Sequence, residues 1–388
     1  MKRFTRFAAV FLTAAILFGL AGCKKDAETK PEPEAVYYTV SFDTDGAGDI
    51  ASQKVEEGKV ATKPEDPAKT GYSFGGWYNG ETAFDFATAI TTDVTLKAKW
   101  TLLTFTVTFD TDGGSEAPAT QTIGYGSKVT KPENPTKEGF SSFDWMNGNV
   151  IYDFDTPVTS NLSLKAKWYI GSKAPYAEKD VGDIVFNDGS AIPYSTDLAL
   201  SSDQKSKAIA VIFCVGLECS DDDNNRTLGI GLDQAGNKKW YTDTANAYRI
   251  NISTIQNNKD GSRNFEKIAQ FSGVSDTNIE ANYPAFYFAI NYESQSRSHV
   301  SGTDYETGWY LPSVTELQTI HSNKNIIQQA ILKCDGIFYS GSYWSSSQWT
   351  DDETKAIHLV ISNSSNGGYG VNYKNTETDK YVCAIREF

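Results

Sequence analysis

Residues 39–46 read TVSFDTDG and residues 106–113 read TVTFDTDG. Both alternate apolar and polar side chains, the period of a strand with one buried face. Asp-Gly closes each stretch and supplies a residue that tolerates positive φ, so each predicts a strand ending in a tight turn. The second half of the chain has a different texture. KAIAVIFCVG, at 207–216, is a continuous apolar run, as in a strand buried on both faces. LPSVTELQTI, at 311–320, places Ser313 and Glu316 at capping-box spacing with Leu317 and Ile320 on the inner side, and predicts a helix start. A further helical set follows at 325–332, with Ile327, Ala330 and Ile331 inward. Short strands are expected at 343–349, 355–362, 369–373 and 381–388, with a hairpin turn at 364–368 (SSNGG).

The doubled FDTDG belongs to a longer duplication. KPEDP at 63–67 returns as KPENP at 131–135, and LKAKW at 96–100 returns at 164–168. GYSFGGWYNG at 71–80 is echoed by GFSSFDWMNG at 139–148, and FDF at 84–86 by YDF at 152–154. Two tandem modules are therefore expected, at 36–103 and 104–170. A calcium loop is the competing reading of the paired aspartates. An EF-hand places ligands at positions 1, 3 and 5, glycine at 6 and glutamate at 12. With Gly46 at position 6, positions 1 and 12 are Ser41 and Ser52; with Gly113 they are Thr108 and Ala119. The bidentate glutamate is missing twice, so the spacing supports neither a metal ligand set nor structural calcium. The modules resemble the Listeria–Bacteroides repeat, also called the internalin B-repeat. The second copy departs at Phe143-Asp144-Trp145-Met146, where Gly-Gly-Trp-Tyr is lost. The resemblance implies small β-grasp-like units serving as an extracellular stalk. Trp77, Trp100, Trp145 and Trp168 are then expected as core.

Lys2, Arg3 and Arg6 precede an apolar run at 7–20 broken only by Thr13. That run is too short to span a bilayer stably and suits a signal peptide, 1–22. Leu20-Ala21-Gly22-Cys23 resembles the lipobox of bacterial lipoproteins, which implies acylation of Cys23 and a membrane held through lipid. KKDAETKPEPEA, at 24–35, is charged, proline-bearing and without apolar period; it reads as an extended tether, 23–35 with the cysteine. The net charge of −14 disfavours nucleic acid and anionic lipid surfaces as partners. Beyond Cys23 the chain has Cys214, Cys219, Cys334 and Cys383, all in the last region. An even number in an exported protein suggests two disulfides, with three pairings open.

After a linker expected at 171–180, residues 181–388 are long enough for one sizeable domain. GWYLPSVTEL (308–317), YWSSSQ (343–348) and VCAIREF (382–388) resemble the signature of a bacterial domain found in the Legionella collagen-like adhesin and the Fibrobacter major paralogous proteins. That family is similar to the C-type lectin-like fold, so the resemblance implies an α+β head. The family's usual partner position for the last-strand cysteine holds Phe286-Tyr287-Phe288 here, so Cys383 needs another partner, with Cys334 a candidate. The whole is expected to be multidomain: two β-rich repeats, then the lectin-like domain.

A lectin-like fold displays ligand contacts near its C-terminus, and that region is dense in Ser, Asn, Tyr, Trp and Asp. Such residues give contact area and adaptable hydrogen bonds at low entropic cost. Trp349, Asn366, Tyr369, Asn372 and Tyr373 are the ligand-binding candidates. Trp344 is expected as core; Trp349 stays open between packing and stacking. DDDNNR, at 221–226, offers oxygens at calcium-loop positions 1, 3 and 5 but Arg226 at 6 and Leu232 at 12, which favours a solvated loop. No G-x-S-x-G, H-E-x-x-H or P-loop occurs, and GIGLDQAG at 229–236 follows no βαβ pattern. The reading is a non-enzymatic, adhesin-like surface protein without cofactor, binding a glycan or protein on a host, a neighbouring cell or the envelope. The alternatives are a structural envelope lipoprotein and, through a distant fold relation, a formylglycine-generating-like enzyme using Cys214 and Cys219.

Overall fold

A computed structural model describes residues 34–245, 251, 253–256, 258–272, 278–362, 368–375 and 380–388. Two compact units divide at Leu103 and Thr104. The chain is multidomain and mostly β, with three separate sheets among the described residues.

In the first unit, β1 (Tyr37–Asp43), β2 (Ile50–Glu56), β3 (Tyr72–Asn79), β4 (Thr82–Ala83) and β5 (Val94–Leu102) form one sheet in the order β2-β1-β5-β3-β4. β1 and β5 run parallel. Val40, Phe42 and Leu96 point inward by strand alternation and pack on Trp77, whose ring meets Phe42 edge-on at 5.0 Å. Trp100 is half-buried, with its indole N–H on Thr44 O at 3.1 Å.

The second unit opens with the same design. β6 (Thr104–Asp110), β7 (Gln121–Gly124), β8 (Ser142–Asn147), β9 (Val150–Ile151) and β10 (Leu162–Tyr169) take the order β7-β6-β10-β8-β9, with β6 and β10 parallel. Both FDTDG stretches are lysine-clamped turns. Asp45 and Asp112 sit at φ 51 and 49, the left-handed region that aspartate tolerates. Asp43 and Asp110 each accept the amide two residues on, at 3.0 and 2.9 Å. Lys69 and Lys137 then donate to the Asp45 and Asp112 carbonyls at 2.8 and 2.6 Å. The carboxylates serve the turn.

The departure of the second copy is a lost β-bulge. In the first, Phe74 faces Trp100 and Trp77 faces Ala98, so Gly75 and Gly76 oppose one residue, with Gly76 at φ 111. In the second, Phe143, Asp144 and Trp145 face Trp168, Lys167 and Ala166 without a shift. Asp144 thus becomes a regular ladder residue, and its carboxylate accepts the Tyr176 hydroxyl at 2.8 Å.

That bond begins a firm joint. The stretch 171–180, expected as a linker, is pinned to the domain that follows. Tyr169 and Ile170 are buried, Lys173 pairs with Asp183 at 2.6 Å, and the Gly171 amide donates to Ser190 Oγ at 2.8 Å. Gly171 lies so close to the Ala191 backbone that a Cβ there would collide with it. The polar composition of the segment reflects these pairings.

The head carries β11 (Ile184–Phe186), β12 (Ala191–Ile192), α1 (Ser202–Lys207), β13 (Ala208–Gly216), β14 (Arg226–Gly236), α2 (Asn264–Ser272), α3 (Ile279–Asn282), α4 (Pro284–Ile290), α5 (Val314–Ser322), α6 (Lys324–Lys333), β15 (Gly341–Gln348), β16 (Lys355–Ile361), β17 (Tyr369–Tyr373) and β18 (Lys380–Glu387). Its sheet has the order β12-β11-β13-β14-β18-β15-β16-β17, antiparallel except for β15 beside β18. Both faces are covered, as the unbroken apolar run of β13 requires. One core gathers Trp240, Tyr241, Phe286, Tyr292, Trp309 and Trp344; the other gathers Phe213, Leu228, Leu317, Ile320, Ile327 and Tyr343. The Ser313–Glu316 capping box is formed in both directions at the start of α5.

Candidate functional site

β17 is an edge of the eight-stranded sheet. Strand alternation turns Tyr369, Val371 and Tyr373 to one side, where they are 60%, 38% and 55% exposed. Asn372 lies on the opposite side, half-buried, and its Oδ1 accepts the Tyr373 amide at 2.8 Å. Antiparallel pairing puts Tyr373 opposite Lys355 on β16, and the Lys355 ammonium stands 5.1 Å from the Tyr373 ring centre. The same ammonium pairs with Asp352 at 3.0 Å. Hydrogen bonds from Thr354 first, then Lys355, hold the Asp352 carboxyl down to about 2. Trp349 follows β15, half-buried, with its amide on Lys355 O at 3.1 Å. Lys355 therefore ties the 349–354 loop to the aromatic edge, and Trp349, Tyr369 and Tyr373 belong to one region of the head. Asn366 and Cys23 lie outside the described residues.

Directly behind Tyr373 is a group that the sequence did not mark. Lys374 is 1% exposed, and its ammonium lies 4.6 Å from the Trp240 ring centre and 4.7 Å from that of Tyr241. Its ammonium has no hydrogen-bond partner among the described residues. Burial lowers it to about 7, against the pull of Glu353 and Asp352.

A second cluster lies beneath α5. Glu316 is fully buried and accepts the Ser313 amide at 2.7 Å, the Gly261 amide at 3.1 Å and the Tyr310 hydroxyl at 2.8 Å. Arg226 reaches Glu316 at 3.4 Å, Asp260 at 2.9 Å and Glu387 at 3.2 Å. Burial pushes the Glu316 carboxyl up to about 8. The acidic run before Arg226 caps neighbouring backbone: Asp221 accepts the Lys259 and Asp260 amides at 2.8 and 3.1 Å. Sequence reading placed Arg226 at the end of a solvated loop; no local pattern marks it as a buried partner of a helix-capping glutamate.

The four head cysteines are buried thiols. The structure holds neither of the two expected disulfides. Cys334 directs its S–H to Ala330 O at 3.4 Å, so the Cys334–Cys383 pairing is absent. Cys214 and Cys219 lie in one core and perturb each other's titration, lowering Cys214 and raising Cys219, and the Cys219 sulfur contacts the Thr319 hydroxyl at 3.4 Å.

Residues 38–99 and 105–167 match the Listeria-Bacteroides repeat domain. Over 150 residues the chain is similar to Internalin H of Listeria monocytogenes, at 38% identity, covering 36% of this chain and 26% of that protein. It is also 38% identical over 143 residues to a protein of Evansella cellulosilytica named as a membrane protein, covering 35% of this chain and 21% of that one. It thus spans only about a fifth to a quarter of the length of the curated relatives it matches. Among solved structures, a fimbrial protein from Bacteroides ovatus aligns with a TM-score of 0.39 and 14% identity over 78% of this chain and 74% of that one. The two Listeria-Bacteroides repeats are the five-stranded sheets of β1–β5 and β6–β10.

Proposed function

We propose that this is a surface-displayed, adhesin-like binding protein. Cys23 carries a lipid anchor at the cell envelope, the two repeats form a stalk, and the lectin-like α+β head takes a glycan or protein ligand from a host, a neighbouring cell or the envelope. The chain's similarity over about a third of its length to Internalin H and to a protein named for a membrane supports the surface location. The observation that carries the binding role is the exposed Tyr369–Val371–Tyr373 stripe beside Lys355 and Trp349. Tyrosines on a rigid strand offer amphipathic contact area with little entropy to lose. The proposed role requires no catalytic group and no cofactor.

The test is a glycan and matrix-protein array probed with the chain from residue 24 onward. On any hit, Tyr369→Ala and Tyr373→Ala are each expected to weaken binding about tenfold or more, since a central aromatic anchor is typically worth ~2 kcal/mol. Melting temperatures should stay close to that of the parent, because both rings are already largely in solvent. Binding undisturbed by either change would move the site off this edge. In the full chain, Cys23→Ala should abolish fatty-acid labelling and release the protein from membranes; retained labelling would remove the anchor from the proposal.

A further inference from the structure

Cys214 ends the buried stretch of β13, and Cys219 returns to the same core five residues later. The reversal is local. Gly216 takes φ 122, which an L side chain resists, and the Ser220 amide closes onto Leu217 O at 3.2 Å. Val215 and Leu217, by contrast, are 44% and 50% exposed. The two cysteines therefore flank one short surface turn with both side chains in the same core, and the Cys219 sulfur lies 3.4 Å from the Thr319 hydroxyl of α5. We propose that Cys214 and Cys219 are a redox pair that closes into a disulfide across this turn, while Cys334 and Cys383 remain thiols.

The geometry selects one of the three pairings the sequence leaves open. Its oxidising setting rests on the surface location proposed above. The chemistry balances with an external disulfide, such as glutathione disulfide or an oxidised dithiol enzyme. When the turn that carries the exposed Val215 and Leu217 opens, the Cys214 thiolate attacks the external S–S bond and expels one thiolate. The Cys219 thiolate attacks the mixed disulfide and expels the second. Two protein thiols lose two electrons and two protons, and the acceptor becomes two thiols. The hydrogen bond from Cys219 favours the anionic form of Cys214, which suits Cys214 to attack first.

The bond would brace more than its own turn. Cys219 O accepts Arg226 Nη1 at 3.0 Å. Asp221, two residues on, holds the segment that brings Asp260 to Arg226. Fixing Cys219 therefore fixes one wall of the buried charge cluster.

The full chain, isolated from its host's envelope without reductant, is alkylated in denaturant and digested with trypsin. Residues 208–226 form one tryptic peptide containing both cysteines. It should carry no alkyl group and be lighter by two hydrogens than its reduced form, while Cys334 and Cys383 are both alkylated. Purified reduced protein treated with glutathione disulfide should yield the same peptide. Its thermal midpoint should rise by roughly 4–8 °C on oxidation, the size expected for closing a short loop in a domain of this length. A Cys214→Ala/Cys219→Ala chain should show no such response to oxidant or reductant. Full alkylation after glutathione disulfide treatment, or a peptide linking Cys214 or Cys219 to Cys334 or Cys383, overturns the pairing. A bond that forms in vitro but is absent from the native protein keeps the pair and instead removes the oxidising surface location.

Discussion

At pH 9, where Glu316 is ionised, Arg226→Met is expected to cost the head about 3–5 kcal/mol, because it strips the cation from a buried carboxylate rather than removing a balanced pair. The Arg226 side chain is 6% exposed and Glu316 is fully enclosed. Methionine fills much of the space but answers none of the Cys219, Tyr310, Asp260 and Glu387 oxygens that the guanidinium satisfies. The penalty should grow with pH. Burial raises the Glu316 carboxyl to about 8, above its unfolded value near 4.5. Its contribution to stability is therefore complete below the unfolded value and is lost as pH rises through the folded one. At pH 6 the variant can hold Glu316 protonated; at pH 9 it must bury the charge or unfold. Denaturant midpoints at both values measure this. A penalty below about 1 kcal/mol and equal at the two pH values would mean that the cluster is wetter and weaker than its distances imply.

The repeats were legible because their information is local. Alternation gave β1 and β6, and Asp-Gly gave the turns at positive φ. The Phe143-Asp144 departure was visible, but its meaning was not: losing a bulge shifts the ladder by one residue, and Asp144 then faces a tyrosine from a segment 32 residues on. The pairings of the expected linker were hidden for the same reason. Lys173, Asp180 and Asp183 look solvated in a string of letters and are paired in space. In the head, the Ser313–Glu316 spacing identified a helix start, since a capping box is written within four residues. That Glu316 is buried depends on Arg226, 90 residues earlier, and no periodicity carries that. The glycines of 229–236 matched no cofactor motif because they admit aromatic rings: a Cβ on Gly229 would meet Phe388 at 2.6 Å, and one on Gly231 would strike Tyr292. Of the candidate site, Tyr369 and Tyr373 were picked out by the density of polar and aromatic residues near the C-terminus, whereas no pattern in the sequence marked Lys374.

Lys374→Met is expected to make the head more stable at pH 6, by about 2–3 kcal/mol. The amine is enclosed between Trp240 and Tyr241 with no hydrogen-bond acceptor among the described residues. Its backbone is fully engaged: the amide donates to Thr354 O, and the carbonyl accepts the Trp240 and Tyr241 amides. The side chain is thus held in place by a ladder it does not help to make. Burial brings the ammonium to about 7, well below its unfolded value near 10.5. The unfolded chain binds the extra proton, so wild-type stability rises between those two pH values, by up to ~1.4 kcal/mol per unit. Against this stands the attraction of the ring faces for a cation, about 2 kcal/mol when desolvated, which is why the expected gain is smaller than the full titration would allow. By pH 10 the wild-type amine is neutral and the advantage of methionine should shrink to about 1 kcal/mol, the residual cost of an unpartnered amine. Chemical denaturation at pH 6 and pH 10 decides it. A loss of stability at pH 6 would show that the ring–cation contacts outweigh burial, and Lys374 would then be an anchor of the β17 end. Because Tyr373 keeps its own exposure and its Lys355 partner in this variant, ligand binding at the β17 edge should be unchanged. A binding loss that accompanies the stability gain would place the buried amine, rather than the tyrosine stripe, at the centre of recognition.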